Sequence, residues 1–255
     1  ARGTELELTL PDGRVLRSEA LVGAEFDWQD DDGATRRLRI DAVERGPVDR
    51  SIVLHAFSVR GATPGHEPLC RPDAAGGRWG FPVQIDASGR NFSITCTAGA
   101  AGKCVRLGFA PWKRLPDGRT LAAHYRSCLH LVRADYRGDG ASATRDGTVI
   151  DVYDRVGIQR PDPDTTLAFE AAWGAAGAIC VARPRIPDLA TLESIAARCA
   201  RPIAIGARCD EPALRDRADV LLFNRSIPAP VPARPSRVSC FGHTSKTDEM
   251  APGVP

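Results

Sequence analysis

The stretch Tyr125-Arg126-Ser127-Cys128-Leu129-His130-Leu131-Val132-Arg133-Ala134-Asp135-Tyr136 decides how the rest of the chain is read. With Leu121 just before it, apolar side chains fall at Leu121, Tyr125, Cys128, Leu129 and Val132. That is the three-and-four spacing of one helix face, so a helix is expected over Arg119 to Ala134. Tyr136 to Arg145 is polar and contains glycine, which predicts a loop, and Thr148 to Tyr153 then reads as a strand.

Upstream, the chain is rich in short strands. Thr4 to Leu10 places Leu6, Leu8 and Leu10 alternately with polar residues, Pro11-Asp12-Gly13 signals a turn, and Val15-Leu16 restarts the extended pattern. A second hairpin is expected around Asp30-Asp31-Asp32-Gly33, between Leu21–Trp28 and Arg36–Val43, with a fifth strand over Ser51 to Val59. Residues 61–80 are rich in glycine and proline and mark a loop or a boundary. Asn91 to Thr97 and Cys104 to Phe109 read as a further hairpin about Ala100, which would set Cys96 opposite Cys104.

Downstream, Thr166 to Trp173 and Leu189 to Cys199 read as helices behind the capping candidates Asp164 and Asp188. Ile179 to Ala182 and Val220 to Phe223 read as short buried strands, and the proline-rich stretch from Ile227 to Pro255 as an extended tail. The expected fold class is α+β: a β-rich N-terminal region over residues 1–78, a mixed α/β, disulfide-containing domain over 79–226, and the tail over 227–255.

At 255 residues, 43% of them hydrophobic and 26% charged, the chain is long enough and apolar enough to bury a core without external staples. Its 34 basic and 32 acidic residues are spread along the whole length, so no field of one sign is set up for nucleic acid or an anionic membrane. Nucleic acid is therefore not expected as a partner. No apolar run approaches the ~20 residues of a membrane span. No basic-then-apolar signal segment stands at Ala1, so an exported protein would be read here as a mature or trimmed chain.

The eight cysteines, Cys70, Cys96, Cys104, Cys128, Cys180, Cys199, Cys209 and Cys240, form no C-x-x-C pair. Disulfides in an oxidising compartment are favoured over zinc ligation, with the connectivity open. His124 and Cys128, four apart, share a helix face, but a nucleophile–base pair on one helical turn is rare, and a structural cysteine is the expectation there.

The run from Tyr125 to Tyr136, followed by Gly138-Asp139-Gly140 and Asp146-Gly147-Thr148, resembles the bacterial ADYC-domain family, named after an Ala-Asp-Tyr-Cys tetrad. The likeness extends upstream to Phe92-Ser93-Ile94-Thr95-Cys96, Lys103-Cys104-Val105 and Pro111-Trp112. Downstream it takes in Gly157-Ile158-Gln159, Phe169-Glu170-Ala171-Ala172-Trp173-Gly174 and Cys180-Val181, so that it covers residues 80–185. The resemblance implies a domain of exported bacterial proteins with no established activity. Arg137 stands where the family has its cysteine, and Ala143 where many members carry a histidine. Any nucleophile and base formed by that pair would be missing here.

The loop after the helix has acidic residues at positions one, five and twelve of a calcium-loop frame, Asp135, Asp139 and Asp146. Arg137 at position three and Ala143 at position nine spoil the frame, so a polar turn with aspartates capping backbone amides is expected, and no metal or cofactor. Arg137-Gly138-Asp139 spells an integrin-type tripeptide, a match that chance supplies in a chain so rich in these residues. Arg137 is expected to sit near the terminal carbonyls of the helix or to pair with Asp135, Asp139 or Asp146.

No Gly-x-Ser-x-Gly elbow, phosphate-binding Gly-Lys-Ser/Thr loop or His-Glu-x-x-His helix is present. The expected function is that of a secreted or periplasmic structural or binding module, with an envelope protein or polymer as partner. The alternative is a hydrolase or other enzyme using Asp135, Asp139 and Asp151 as acid, base or metal ligands, with Arg133 or Arg137 as an anion clamp.

Overall fold

The computed structural model describes residues 1–29, 33–60, 65–84, 90–197 and 202–227. Cys199, Cys240, the centre of the Asp30-Asp31-Asp32 turn, the end of the expected 189–199 helix and the proline-rich stretch beyond Ile227 lie outside the described residues. Among those residues no helix is long and apolar enough to cross a membrane.

The first hairpin joins β1 (Glu7–Thr9) to β2 (Val15–Arg17), with Leu8 opposite Leu16. Gly13 takes φ +85° at the turn, and the Asp12 carboxylate accepts the backbone N–H of Arg14 at 3.0 Å. Of the three alternating leucines only Leu6 enters the core; Leu8 stays 48% exposed because this ribbon is too short to be covered.

A single 3-10 turn, Ser18–Leu21, leads into β3 (Glu25–Gln29), β4 (Thr35–Arg45), β5 (Val53–Arg60), β6 (His66–Pro68), β7 (Trp79–Gln84) and β8 (Phe92–Cys96). These strands make one antiparallel sheet in the order β3-β4-β5-β7-β8, with β6 beside β5. The sheet takes strands from both sides of residues 78–79. Along β4 the alternation works as the sequence implies: Leu38 and Ile40 are buried, while Arg37 and Arg39 point out to Asp27 and Asp41. Gly80 in β7 is required by close approach, since a Cβ there would lie 2.8 Å from the Thr95 carbonyl oxygen and 3.1 Å from Cys70 Sγ.

After β8 the chain turns helical: α1 (Ala100–Arg106) and α2 (Ala122–Arg133) pack on each other. The remaining elements are β9 (Ile150–Asp154), β10 (Ala168–Gly174), β11 (Gly177–Val181), α3 (Leu192–Ala196), β12 (Ala204–Ile205), α4 (Glu211–Leu214) and β13 (Leu222–Ser226). Their strands form a second large sheet, β12-β11-β10-β13-β9, antiparallel except where β12 runs parallel to β11. One face of it is covered by α2, where Leu131, Trp173, Leu222 and Phe109 meet; the other buries Phe223, Tyr153, Cys180 and Leu214.

Two expectations are corrected. Residues 166–173 hold a strand and not a helix. Glu170, Ala171, Ala172 and Trp173 are all fully buried, with Ala171 in one core and Ala172 in the other. A central strand covered on both faces shows no alternation, and its alanines, which favour helices in isolation, are the small residues that two-sided packing admits. Cys104 to Phe109 is likewise not a return strand, because α1 begins at Ala100 directly after β8. Gly102 lets it do so: a Cβ there would be 2.2 Å from the Cys96 carbonyl oxygen. Cys96 therefore does not pair with Cys104.

The bridges among the described residues are Cys70–Cys96, Cys104–Cys128 and Cys180–Cys209. The first ties the glycine-rich 65–78 segment to β8, the second joins α1 to α2, and the third fastens the end of the short 3-10 turn Gly206–Arg208 to β11. The expected helix near 189 starts later, capped by Thr191 in a capping box with Ser194 and not by Asp188.

Candidate functional site

α2 ends because Ala134 adopts the left-handed conformation, φ 50°, a backbone state that residues with a Cβ rarely occupy. The next residue, Asp135, is 2% exposed and has its oxygens engaged. His130 Nδ1 lies 2.9 Å away, and the backbone N–H groups of Asp139 and Gly140 donate to it at 3.1 and 3.0 Å. The loop is thus a polar turn organised by an aspartate, as expected from the way Arg137 and Ala143 spoil the calcium frame.

Tyr136 turns inward and stacks on Trp173 with ring centroids 5.3 Å apart. Its hydroxyl donates to Glu170 Oε1 at 3.0 Å and accepts the backbone N–H of Arg185 at 2.7 Å. The Arg185 guanidinium in turn donates to both Glu170 oxygens at 3.0 Å and to the Leu131 carbonyl at 2.8 Å. With side chains 1% and 0% exposed, Arg185 and Glu170 form a buried ion pair that also satisfies the last turn of α2. Burial, with Glu170 beside it, holds the Tyr136 hydroxyl well above the ordinary tyrosine pKa.

Arg137 stays outside this knot. Its guanidinium pairs with Asp139 at 2.8 Å, both side chains being a little under half exposed. The expected pairing is therefore made, and it joins the cation and anion of the Arg137-Gly138-Asp139 tripeptide to each other. Gly138, at φ +66°, is needed because a Cβ would meet the Ala176 carbonyl oxygen at 2.2 Å.

Asp151 is placed elsewhere, on β9. It accepts the Asp162 backbone N–H at 3.3 Å and lies 3.6 Å from the Arg225 guanidinium; burial raises its pKa. Asp135, Arg137 and Asp139 thus share one loop, while Asp151 and Arg133 line a different feature, a cleft of about 1250 Å³. Cys128 is in a disulfide and His124 stacks on Phe109, so no thiolate stands beside that histidine. Ser18 Oγ and His55 Nε2, 2.8 Å apart, have the geometry of a nucleophile and base, but both residues are 0% exposed, and Ser18 Oγ also accepts the Leu6 N–H. They brace the first strands against β5. No group of three or more metal-ligating side chains occurs among the described residues.

The cleft is walled by the β4–β5 turn, the segment after β6, the start of α1, the end of α2 and the 142–149 loop running into β9. Arg71, Lys103, Arg133 and Arg160 reach it from four different segments, and all four are exposed. Arg133 also donates to the Gly140 carbonyl oxygen. No histidine or aromatic side chain lines the cleft among the described residues. Sequence reading missed it, as it missed the Glu170–Arg185 pair. The one linear signal was a lone acid inside the apolar run Phe169-Glu170-Ala171-Ala172-Trp173.

No curated protein and no solved structure matches the chain. A family model described as the ADYC domain matches residues 18–187, two thirds of the length, and includes the Ala134-Asp135-Tyr136 turn, the Glu170–Arg185 pair and two of the three bridges. The chain belongs to the ADYC-domain family.

Proposed function

We propose that this protein is an exported bacterial module that acts by binding, without catalysis. The observation that carries the reading is the lining of the cleft, which among the described residues offers more cations than carboxylates, together with aliphatic side chains, but no histidine and no free thiol. Asp135, one of the acid or base candidates, is engaged in a turn, and Cys128 is in a bridge, as expected of a structural cysteine. Three disulfides among the described residues support an oxidising compartment. A secreted or periplasmic location and an envelope partner fit this reading.

Alkylation of the protein in its natural host, with and without reductant, tests the compartment. The six cysteines should be protected until reduced and the protein found outside the cytoplasm; free thiols at these positions in a cytoplasmic fraction would contradict it. One observation favours the alternative of a hydrolase: Asp151 lines the cleft with a pKa raised by burial. Turnover of an ester, glycoside or phosphoester, lost in Asp151→Asn, would establish that reading instead.

A further inference from the structure

The whole chain carries a formal charge of only +2, yet the cleft gathers an excess of positive charge. Three of its cations are answered from outside it: Arg106 pairs with Asp73 at 3.2 Å, Arg145 with Asp188 at 3.6 Å and Arg185 with Glu170 at 3.0 Å. Two of its acids are answered likewise, Asp49 by Lys113 at 3.0 Å and Asp151 by Arg225 at 3.6 Å. What remains is Arg71, Lys103, Arg133 and Arg160 against Asp146, none of them with an opposite charge within ion-pair distance among the described residues. Elsewhere on this surface arginines take carboxylate partners repeatedly, as Arg14, Arg37, Arg119 and Arg217 do. Unanswered like charges brought together from four segments repel one another and are relieved by an anion from outside.

We propose that the cleft binds an acidic peptide segment of another protein, an inference that rests on reading this protein as a binding module. The volume of about 1250 Å³ exceeds the roughly 300–1,000 Å³ usual for a small-molecule pocket, so an extended ligand fits better than a single small anion. Guanidinium groups pair carboxylates bidentately, and three of the four unanswered cations are arginines. Two aliphatic side chains, Val48 and Val149, line the same cleft at 96% and 59% exposure and would cover apolar side chains of a peptide between its acids. A single-stranded nucleic acid fits less well, because its bases stack on aromatic side chains and none lines the cleft among the described residues. The chain's own proline-rich end is not complementary, since its Arg234, Arg237 and Lys246 outnumber Asp248 and Glu249.

The test is fluorescence anisotropy of a short labelled peptide alternating glutamate with valine and alanine, titrated with the full chain at low and at physiological salt. Binding that weakens with salt, falls at least about tenfold in Arg71→Ala/Lys103→Ala/Arg160→Ala and is unchanged in Arg14→Ala/Arg119→Ala is the expected result. No binding, equal binding by the triple variant, or tighter binding of polyphosphate or a single-stranded oligonucleotide by the same residues would overturn the proposal. If the triple variant abolishes binding of such a different ligand, the peptide assignment falls and the binding reading stands. Turnover lost in Asp151→Asn would remove both.

Discussion

The turn over residues 134–140 and the cleft beside it are both rich in charge, yet their charges are in opposite situations. In the turn, Asp135, Tyr136 and Arg137 each have a partner, and the buried Glu170–Arg185 pair behind them is met by further hydrogen bonds. In the cleft, Arg71, Lys103 and Arg160 are exposed and unanswered among the described residues. A polar group whose bonds are all made within the chain stabilises the fold, and removing it leaves its partner uncompensated. A charge with no partner contributes little to folding and is available to something else. The residues that give the family its name are, in this chain, of the first kind.

The largest effect should come from opening the buried pair. Arg185→Met leaves the Glu170 carboxylate buried with only the Tyr136 hydroxyl, and a loss of about 3–5 kcal/mol in urea denaturation is expected. Arg185→Met/Glu170→Met should recover part of it. A double variant no more stable than the single would show that the cost lies in packing and not in the unpaired charge.

Next is a pH effect from His55, whose pKa burial pushes down to about 4. The folded protein then keeps the ring neutral while the unfolded chain protonates it near the ordinary histidine value. Stability should therefore be unaffected by this group above about pH 6.5, fall as pH drops from there toward 4, and level off below. The full loss amounts to about 3 kcal/mol. His55→Asn should flatten that slope; an unchanged slope would place the pH dependence in other groups.

A smaller effect belongs to Arg137, at the position of the family cysteine. Its pair with Asp139 is nearly half exposed, so Arg137→Cys should change stability by no more than about 1 kcal/mol and create no enzymatic activity. A larger loss would move Arg137 from the surface into the group of supporting residues.

Much of the β structure was legible, because Leu38 and Ile40 alternate with arginines and Pro11-Asp12-Gly13 names its own turn. α2 was legible from its stripe, although it begins at Ala122 and not at Arg119. β10 was hidden because both its faces are buried, and α1 because Gly102 allows a helix where a hairpin was expected. The cleft was not legible at all: Arg71, Lys103, Arg133 and Arg160 lie far apart in sequence, and only the packing of the helices and sheets brings them to one place. Glu170 and Arg185, fifteen residues apart, meet only once β10 is a strand.

The contrast between turn and cleft is tested most directly by urea denaturation of Tyr136→Phe beside Arg71→Ala/Lys103→Ala/Arg160→Ala. Removing one buried hydroxyl that bonds Glu170 and Arg185 should cost about 1–3 kcal/mol. Removing three exposed cations should shift stability by less than about 0.5 kcal/mol, or raise it slightly through relieved repulsion. A stable Tyr136→Phe together with a triple variant that loses more than about 2 kcal/mol would contradict the assignment of the turn to the fold and the cleft to a partner.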